Sequence, residues 1–214
     1  EARDNRFEKF NKYCKKNKIF HLFVAHHYDD NLETFLIRKI SGSNFEGLRS
    51  MQEKIINKNI QILRPLLKFK KIDIIKYLKK NNILYEIDPS NQNLKYTRVS
   101  VRNFLKENTL FKKKIEIDFK EINKLYPLYK IMIHQIFNNL HISSSKNTIK
   151  IKSDIFFSID INIQSKIVEI AYKFLGYKFF FIRQSKIIDM LNTLNKENIK
   201  KLNLKGMIVK KDLN

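Results

Sequence analysis

The apolar and polar positions along the chain follow two periods, which predict the elements of its first half. Residues 19–25 form a short apolar run bounded by charge, typical of a buried strand. Leu32, Phe35, Leu36 and Ile40 follow at helical spacing and predict a helix over residues 30–40. The same reasoning predicts extended segments at residues 60–63 and 84–87, and helices at residues 1–18, 71–81 and 96–105. Alternating strands and helices favour an α/β fold with a parallel, Rossmann-like sheet.

The pattern changes to amphipathic helices beyond residue 107. Residues 108–115 are rich in charge, so we expect a linker between a partial α/β domain at 1–107 and a small, mainly helical domain at 116–214. Helices are predicted over residues 115–139, 161–175 and 182–194, with Pro127 as a break, Asp160 as a cap and Gly176 as a stop. Strand-like pieces are predicted within residues 148–157, and a final strand or turn is predicted over residues 204–209.

Two histidines and two acids lie where the first predicted strand ends and the next helix begins. His26 and His27 close the strand, and Asp30 and Glu33 follow in the first helical turns. The carboxyl edge of such a sheet is where ligands bind, and residues three apart share one side of a helix. The two acids can therefore hold a cation, either a metal or an amine. Helix capping explains acids at this position as well, but capping does not call for two histidines.

Composition limits the class of protein. The chain has 214 residues, of which 43% are hydrophobic, as expected for a globular protein. It contains no stretch of about 18 uncharged apolar residues, so we expect no membrane span. The single cysteine, Cys14, excludes an internal disulfide and disfavours a cysteine-rich zinc site, which fits a reducing compartment such as the cytoplasm.

The net charge of +22 points to a polyanionic partner, with nucleic acid as the first candidate. The chain is also rich in Lys, Asn and Ile, a bias that AT-rich coding would produce. Charge alone therefore identifies no partner. Arginines are more informative than lysines, because Arg is favoured for phosphate contacts.

Several short motifs occur in order across residues 1–105. They are Glu1-Ala2-Arg3 with Arg6-Phe7, Ala25-His26-His27 with Asp30 and Glu33-Thr34, Ser41-Gly42 with Gly47-Leu48, Arg64-Pro65-Leu66-Leu67, and Asp88-Pro89-Ser90-Asn91 with Tyr96, Arg98 and Arg102. This series resembles the tRNA(Ile)-lysidine synthetases, a family of N-type ATP pyrophosphatases that carry a PP-loop. The second half of the chain is similar, more loosely, to the helical second domain of that family.

The resemblance implies a ligase that modifies tRNA. The family joins free lysine to C2 of the wobble cytidine in isoleucine tRNA with a CAU anticodon, through an adenylated intermediate. It implies ATP, lysine and Mg²⁺ as small-molecule partners, tRNA(Ile) as the macromolecular substrate, and a location in the cytoplasm or an organelle matrix. A homodimer and a separate N-terminal polypeptide both stay open as further partners.

The same resemblance assigns the acidic motif to the active site. His26, Asp30 and Glu33 match the family's active-site positions. We expect Asp30 and Glu33 to hold the lysine amine or a magnesium ion, and His26 to contact the cytosine or the activated intermediate. A carboxylate can orient an ammonium group, and a nearby base can free its lone pair.

Two arginines, Arg6 and Arg98, match the basic positions of the family, and the case for Arg64 and Arg102 is weaker. Arg6 and Arg98 are expected to contact the tRNA or the adenylate phosphate, since a guanidinium group binds phosphate in a bidentate manner. Arg64 and Arg102 are further candidates for binding tRNA. Each has an equally weighted structural alternative. Arg64 could instead pin the end of a strand, and Arg102 could be a surface residue of a helix.

One family motif is not found in residues 1–214. The Ser-Gly-Gly-x-Asp-Ser loop, which cradles the pyrophosphate of ATP through backbone N–H groups, would precede Glu1. Either the chain lacks the N-terminal part of the enzyme, or the two parts are separate polypeptides, or the activity is lost. We expect residues 1–214 alone to show no ATP turnover.

Three other functions compete with the ligase. A basic tRNA-binding module without catalysis is favoured by the charge and the missing loop, but it has no use for the pair Asp30 and Glu33. A metal-dependent phosphohydrolase could use His26-His27 with Asp29-Asp30 as metal ligands. A tRNA thiolation enzyme usually needs several cysteines, and Cys14 alone does not serve.

Overall fold

A computed structural model of the protein describes residues 2–57, 60–86, 97–176, 182–196 and 201–211. These residues belong to two compact units, Glu1–Tyr126 and Pro127–Asn214. The predicted motif Asp88-Pro89-Ser90-Asn91 and Tyr96 lie outside the described residues. Among the described residues, no helix has both the length and the apolar character needed to cross a membrane.

The first unit alternates helices with short strands, as predicted. In chain order its elements are α1 (Ala2–Lys16), β1 (His21–Phe23), α2 (Tyr28–Ile40), α3 (Phe45–Leu48), β2 (Lys54–Asn57), β3 (Ile60–Leu63), a 3₁₀ turn (Pro65–Lys68), α4 (Lys71–Lys80), α5 (Thr97–Glu107) and the first part of α6 (Thr109–Leu140). The segment at residues 83–86 carries no regular secondary structure.

The sheet of the first unit is mixed rather than parallel. Its strand order is β1-β3-β2, with β1 parallel to β3 and β2 antiparallel to β3. The prediction of parallel pairing is right for β1 and β3 and wrong for β2. Only two residues separate β2 from β3, which allows a hairpin but not the long crossover that parallel pairing needs. Ile55 and Ile56 of β2 are both exposed, so the strand lacks the alternation that would have revealed it.

Two apolar clusters hold the first unit together. Cys14, Ile60 and Ile62 pack with Phe7, Leu22 and Val24 where α1 lies on the sheet. The other cluster joins α2, α5 and α6 through the buried side chains of Leu32, Phe35, Leu36, Val101, Leu105, Ile115 and Phe119. The second cluster positions α5 against α2.

The predicted linker falls almost entirely within α6. This helix begins at Thr109 and contains Pro127, whereas the linker was expected over residues 108–115. Ile115 is buried against α2, so the turns before it continue an amphipathic helix. The two units divide at Pro127 rather than at the expected linker.

The second unit is mainly helical and carries two hairpins. After the second part of α6 its elements are β4 (His141–Ser144), β5 (Ile149–Ile151), α7 (Ser153–Ser158), α8 (Ile161–Phe174), α9 (Gln184–Asn195), β6 (Lys201–Leu204) and β7 (Met207–Lys210). Asp160 caps α8 as predicted, accepting a hydrogen bond from the Asn162 N–H at 2.8 Å, and Gly176 follows the helix with φ of +88°. The strand prediction over residues 148–157 is right for β5 and wrong for α7.

Buried and exposed leucines of the second unit should differ in their effect on its stability. Leu191 of α9 is 1% exposed within a cluster built from α8, α9 and the β6–β7 hairpin, whereas Leu128 is 64% exposed. Leu191→Ala should lower the free energy of unfolding of this unit by about 2–5 kcal/mol through lost burial and the cavity left behind. Leu128→Ala should change it by less than about 0.5 kcal/mol. Urea unfolding followed through NMR signals of the second unit measures both, and equal losses would contradict the packing described here.

Candidate active site

The candidate site is built on the first turn of α2, directly after the parallel strand β1. His27 is the N-cap residue of α2. Its Nδ1 atom accepts a hydrogen bond from the Asp30 N–H at 3.3 Å, and the Asp30 carboxylate accepts one from the His27 N–H at 3.1 Å. This reciprocal capping box satisfies amide groups that the helix cannot satisfy itself. Asp30 therefore does cap the helix, and the cap fixes the direction of its side chain.

Asp29 fastens α2 to the start of α4. Its Oδ2 atom accepts a hydrogen bond from the Lys71 N–H at 2.7 Å, and its Oδ1 atom lies 3.6 Å from Nζ of Lys112. The N-cap residue of α4, Lys70, supplies no side-chain cap, so Asp29 provides that hydrogen bond from another element. The sequence suggested only metal ligation for Asp29 and did not reveal this structural contact.

Glu33 is a buried acid whose charge is balanced by two arginines of α5. The residue is 2% exposed. Its two oxygens accept hydrogen bonds from Nε and Nη2 of Arg102, at 2.7 and 3.2 Å, and Nε of Arg98 lies 3.3 Å from Oε2. The hydrogen bond that Arg102 donates to Glu33 is the main cause that raises the pKa of the Arg102 guanidinium group. Arg102 is therefore directed at Glu33 rather than placed on an open helix surface.

Arg98 is held at further points on α2. Its Nη2 atom donates to the Thr34 hydroxyl at 2.7 Å and lies 3.3 Å from the Asp30 carbonyl oxygen. The Thr34 hydroxyl donates in turn to the same carbonyl at 2.8 Å. The structure thus brings together four of the predicted site residues, namely Asp30, Glu33, Arg98 and Arg102.

The other three predicted residues lie in different surroundings. His26 is half-buried between β1 and the cap of α2, next to the acidic cluster in the chain. Arg6 is exposed on α1. Arg64 is 5% exposed and donates to the Gln52 carbonyl at 2.8 Å, while its own N–H donates to the Glu53 carbonyl. These contacts match the alternative in which Arg64 pins a strand end.

The acids of the cluster do not form a favourable magnesium site. Both oxygens of Glu33 already accept hydrogen bonds from Arg102. In the described part of the chain, no group of three or more His, Cys, Asp or Glu residues could hold a metal ion. Magnesium prefers several oxygen ligands and waters at short distance, which a carboxylate engaged by guanidinium groups does not offer.

Two further residues shape the site and were missed from the sequence. Asn31, buried next to Asp30, donates to the Met51 carbonyl at 3.1 Å and accepts from the Met51 N–H at 2.7 Å. Arg38 donates to the carbonyls of Gly47 and Ser50, at 2.6 and 3.2 Å. Together they fix the segment after α2 against the helix. The sequence did contain a sign of this contact. Asn31 is a polar residue on the apolar face of α2, one helical turn before Phe35.

Tyr28 adds a half-buried phenol beside the acids. Burial, followed by the charges of Glu116 and Asp29, raises the pKa of Tyr28 to about 12. The phenol lines a cleft of about 670 Å³ next to α2, whose other walls come from Asn31, Met51, Gln52, Glu53, Lys54, Leu67, Lys68, Phe119, Lys120 and Asn123. Tyr28 therefore stays neutral across the physiological range of pH.

The pairing of Glu33 with Arg102 predicts strong energetic coupling. Arg102→Met should lower the free energy of unfolding by about 3 kcal/mol, because it leaves a buried carboxylate without its main partner. In a Glu33→Gln background the same change should cost much less. The matched control is the pair of Glu169 and Lys173 on α8, where Lys173 is largely exposed and the coupling should be about 0.5 kcal/mol. Urea unfolding of both double-mutant cycles measures the coupling, and additive effects of Glu33 and Arg102 would contradict the geometry.

The raised pKa of Tyr28 predicts that the folded protein loses stability at alkaline pH. Because its pKa is raised in the folded state, its contribution is complete below about pH 10 and is lost as the pH rises towards 12. Tyr28→Phe should therefore lose less stability than the wild type between pH 9 and pH 11.5, measured by urea unfolding. Tyr13→Phe, an exposed position on α1, is the control and should follow the wild type. Identical curves for Tyr28→Phe and the wild type would refute the assignment.

Comparison with known proteins identifies the family to which the chain belongs. The family model described as the PP-loop domain matches residues 1–109. The tRNA(Ile)-lysidine synthase of Wolbachia sp. subsp. Brugia malayi (strain TRS) is 31% identical over 215 residues, covering 99% of this chain and 50% of the relative. That of Mycoplasma mycoides subsp. mycoides is 29% identical over 218 residues, covering 100% of this chain and 52% of the relative.

A shorter stretch of the chain matches another relative at higher identity. The tRNA(Ile)-lysidine synthase of Francisella tularensis subsp. holarctica is 48% identical over 82 residues, covering 38% of this chain and 21% of the relative. The chain spans about half the length of the curated relatives that it matches from end to end. The resemblance drawn from the ordered motifs is confirmed, since the family model covers half of the chain. The chain belongs to the PP-loop domain family.

Proposed function

We propose that this chain is part of a tRNA-modifying ligase that joins free lysine to C2 of the wobble cytidine in isoleucine tRNA with a CAU anticodon. Membership of the PP-loop family and the names of the relatives support ATP use and tRNA modification. The observation that carries the proposal from the chain's own geometry is the cluster of Asp30, Glu33, Arg98 and Arg102 at the carboxyl end of β1. It combines groups suited to an ammonium with groups suited to an oxyanion.

The reaction has two steps. The C2 carbonyl oxygen of cytidine attacks the α-phosphorus of ATP, so that an O–P bond forms and pyrophosphate leaves. The amine of lysine then attacks C2, a C–N bond forms, and the C2–O bond to AMP breaks. The amine loses a proton to a base, and the products are lysidine in the tRNA, AMP and pyrophosphate.

Each step needs a group that this cluster supplies. We assign Asp30 to bind the lysine ammonium and to accept its proton, because the amine must be neutral before it attacks. His26, next to the capping box, is assigned to the cytosine or the activated intermediate. Arg98 is assigned to the adenylate phosphate, since guanidinium groups stabilise charge that develops on phosphate oxygens.

The exposed Arg6 is assigned to the tRNA backbone. It lies on α1, where a phosphate can reach it from solvent. Arg64, with its guanidinium group bound to the Gln52 carbonyl, is better suited to holding the fold than to binding RNA.

A second candidate is a tRNA-binding module without catalysis. The net charge of +22 favours it, because a strongly basic protein binds RNA phosphates without any chemistry. It gives no reason for a buried acid between two arginines. Loss of lysine incorporation with retained tRNA binding would favour this candidate.

The direct test is incorporation of labelled lysine into a CAU-anticodon isoleucine tRNA transcript by the full-length protein, with and without ATP. We expect ATP-dependent labelling that falls by roughly 100-fold or more in Asp30→Ala, because the variant lacks both the ammonium partner and the proton acceptor. Glu169→Gln, which changes an acid bridging Lys166 and Lys173 in the second unit, is the control and should keep the activity. Absent labelling, with tRNA still retained on a filter, would reject the ligase.

A further inference from the structure

Glu33 and Thr34 are neighbours on α2, and both engage Arg98 of α5. Nε of Arg98 forms an ion pair with Glu33 Oε2 at 3.3 Å, and the Thr34 hydroxyl accepts a hydrogen bond from Nη2 of Arg98. Arg102, one turn further along α5, receives the bidentate contact of Glu33. These contacts cross between elements that are distant in sequence, so their effect is to fix the arginines relative to α2.

The Glu33 carboxylate has little capacity left for a substrate ammonium. Three nitrogen atoms surround it, at 2.7, 3.2 and 3.3 Å, and a carboxylate offers about four lone-pair sites. Its side chain is 3% exposed. An ammonium group would have to displace a guanidinium group and leave that cation without its buried partner, which is costly.

Asp30 differs from Glu33 in this respect. Its Oδ2 atom accepts the capping hydrogen bond, whereas its Oδ1 atom lies 3.9 Å from Nη2 of Arg102, too far for a hydrogen bond. An ammonium group approaching Oδ1 therefore breaks no hydrogen bond with Arg102. The two acids, which sequence reasoning treated as one pair, are not equivalent.

We infer that Glu33 is a positioning residue, which holds Arg98 and Arg102 for an oxyanion of the substrates, while Asp30 alone receives the lysine ammonium. The inference rests on the proposed function. It replaces the expectation that both acids bind the amine. Thr34 acts with Glu33, since its hydroxyl accepts from Arg98 and donates to the Asp30 carbonyl.

The charges around Glu33 support this division. Two guanidinium groups on successive turns of α5 repel each other, and the buried carboxylate between them removes that repulsion. Counting only these three groups, one positive charge remains. The Arg98 side chain is 38% exposed and can present that charge to an incoming oxyanion. Phosphate of the adenylate and carboxylate of lysine share the required chemistry.

The first experiment measures the arginines directly in the full-length protein with ¹⁵N-labelled arginine. The Nε–H groups of Arg98 and Arg102 should exchange with water at least about tenfold more slowly than that of the exposed Arg6. Glu33→Gln should remove this protection from both, whereas Thr34→Val should loosen Arg98 alone. Glu169→Gln is the matched control. Unchanged protection in Glu33→Gln would overturn the inference, and the wild-type comparison with Arg6 stands even where a variant fails to fold.

The second experiment asks which acid binds the amine. The probe is 1-aminopentane, which has the side-chain amine of lysine and no carboxylate, and its binding is followed by NMR titration. Asp30→Asn should weaken its affinity by about tenfold, as expected for one hydrogen bond to a charged group, and Glu33→Gln by less than about twofold. Equal weakening by both variants would overturn the inference.

The third experiment distinguishes the two oxyanions through substrate kinetics. If the carboxylate binds the arginines, Glu33→Gln should raise the KM for lysine but not for lysinamide. If the phosphate does, the variant should weaken inhibition by AMP but not by adenosine. No change in either comparison overturns the inference. Failure of the proposed function would instead appear as absent lysine incorporation by the wild type, with the protection of Arg98 and Arg102 still measurable.

Discussion

The buried carboxylate of Glu33 is the constraint on which the rest of the site depends. A charge removed from water costs several kcal/mol unless it is paired and hydrogen-bonded. Glu33 meets both conditions through Arg102 and Arg98, and this requires α5 to lie against α2. The apolar cluster of Leu32, Phe35, Val101 and Leu105 brings the same two helices together. Apolar packing and the ion pairs therefore both favour the same placement of α5 against α2. This placement brings Arg98 and Arg102 close to Asp30.

The start of α2 serves three structural purposes besides any chemistry. Asp30 caps the helix with His27, Asp29 fastens α4, and Asn31 holds the segment that follows α2. The capping and catalytic interpretations of this motif are thus compatible. One carboxylate can close the helix through Oδ2 and still offer Oδ1 to a substrate. Such rigid support is what a reaction site requires, because small misplacements of reacting groups are costly.

Local patterns predicted much of this fold, and long-range contacts account for what they missed. Helical spacing located α2 and α8, and Asp160 was recognised as a cap because capping depends on neighbours in sequence. Strand β2 was not predicted, because Ile55 and Ile56 are both exposed and the strand lacks the alternation of buried and exposed positions. The site residues were named from the ordered motifs, but their pairing was not. Glu33 and Arg102 are 69 residues apart, and nothing in the local sequence shows that an acid expected to bind an amine is already engaged by arginine.

In the inferred division of roles, Glu33 organises the arginines while Asp30 faces the amine. The most direct measurement is a crystal structure of the full-length protein with lysine bound. The side-chain ammonium should lie within hydrogen-bond distance of the Asp30 carboxylate, with Glu33 still bidentate to Arg102 and in contact with Arg98. An ammonium group bound to Glu33, with Arg102 displaced from it, would show that this division of roles is wrong.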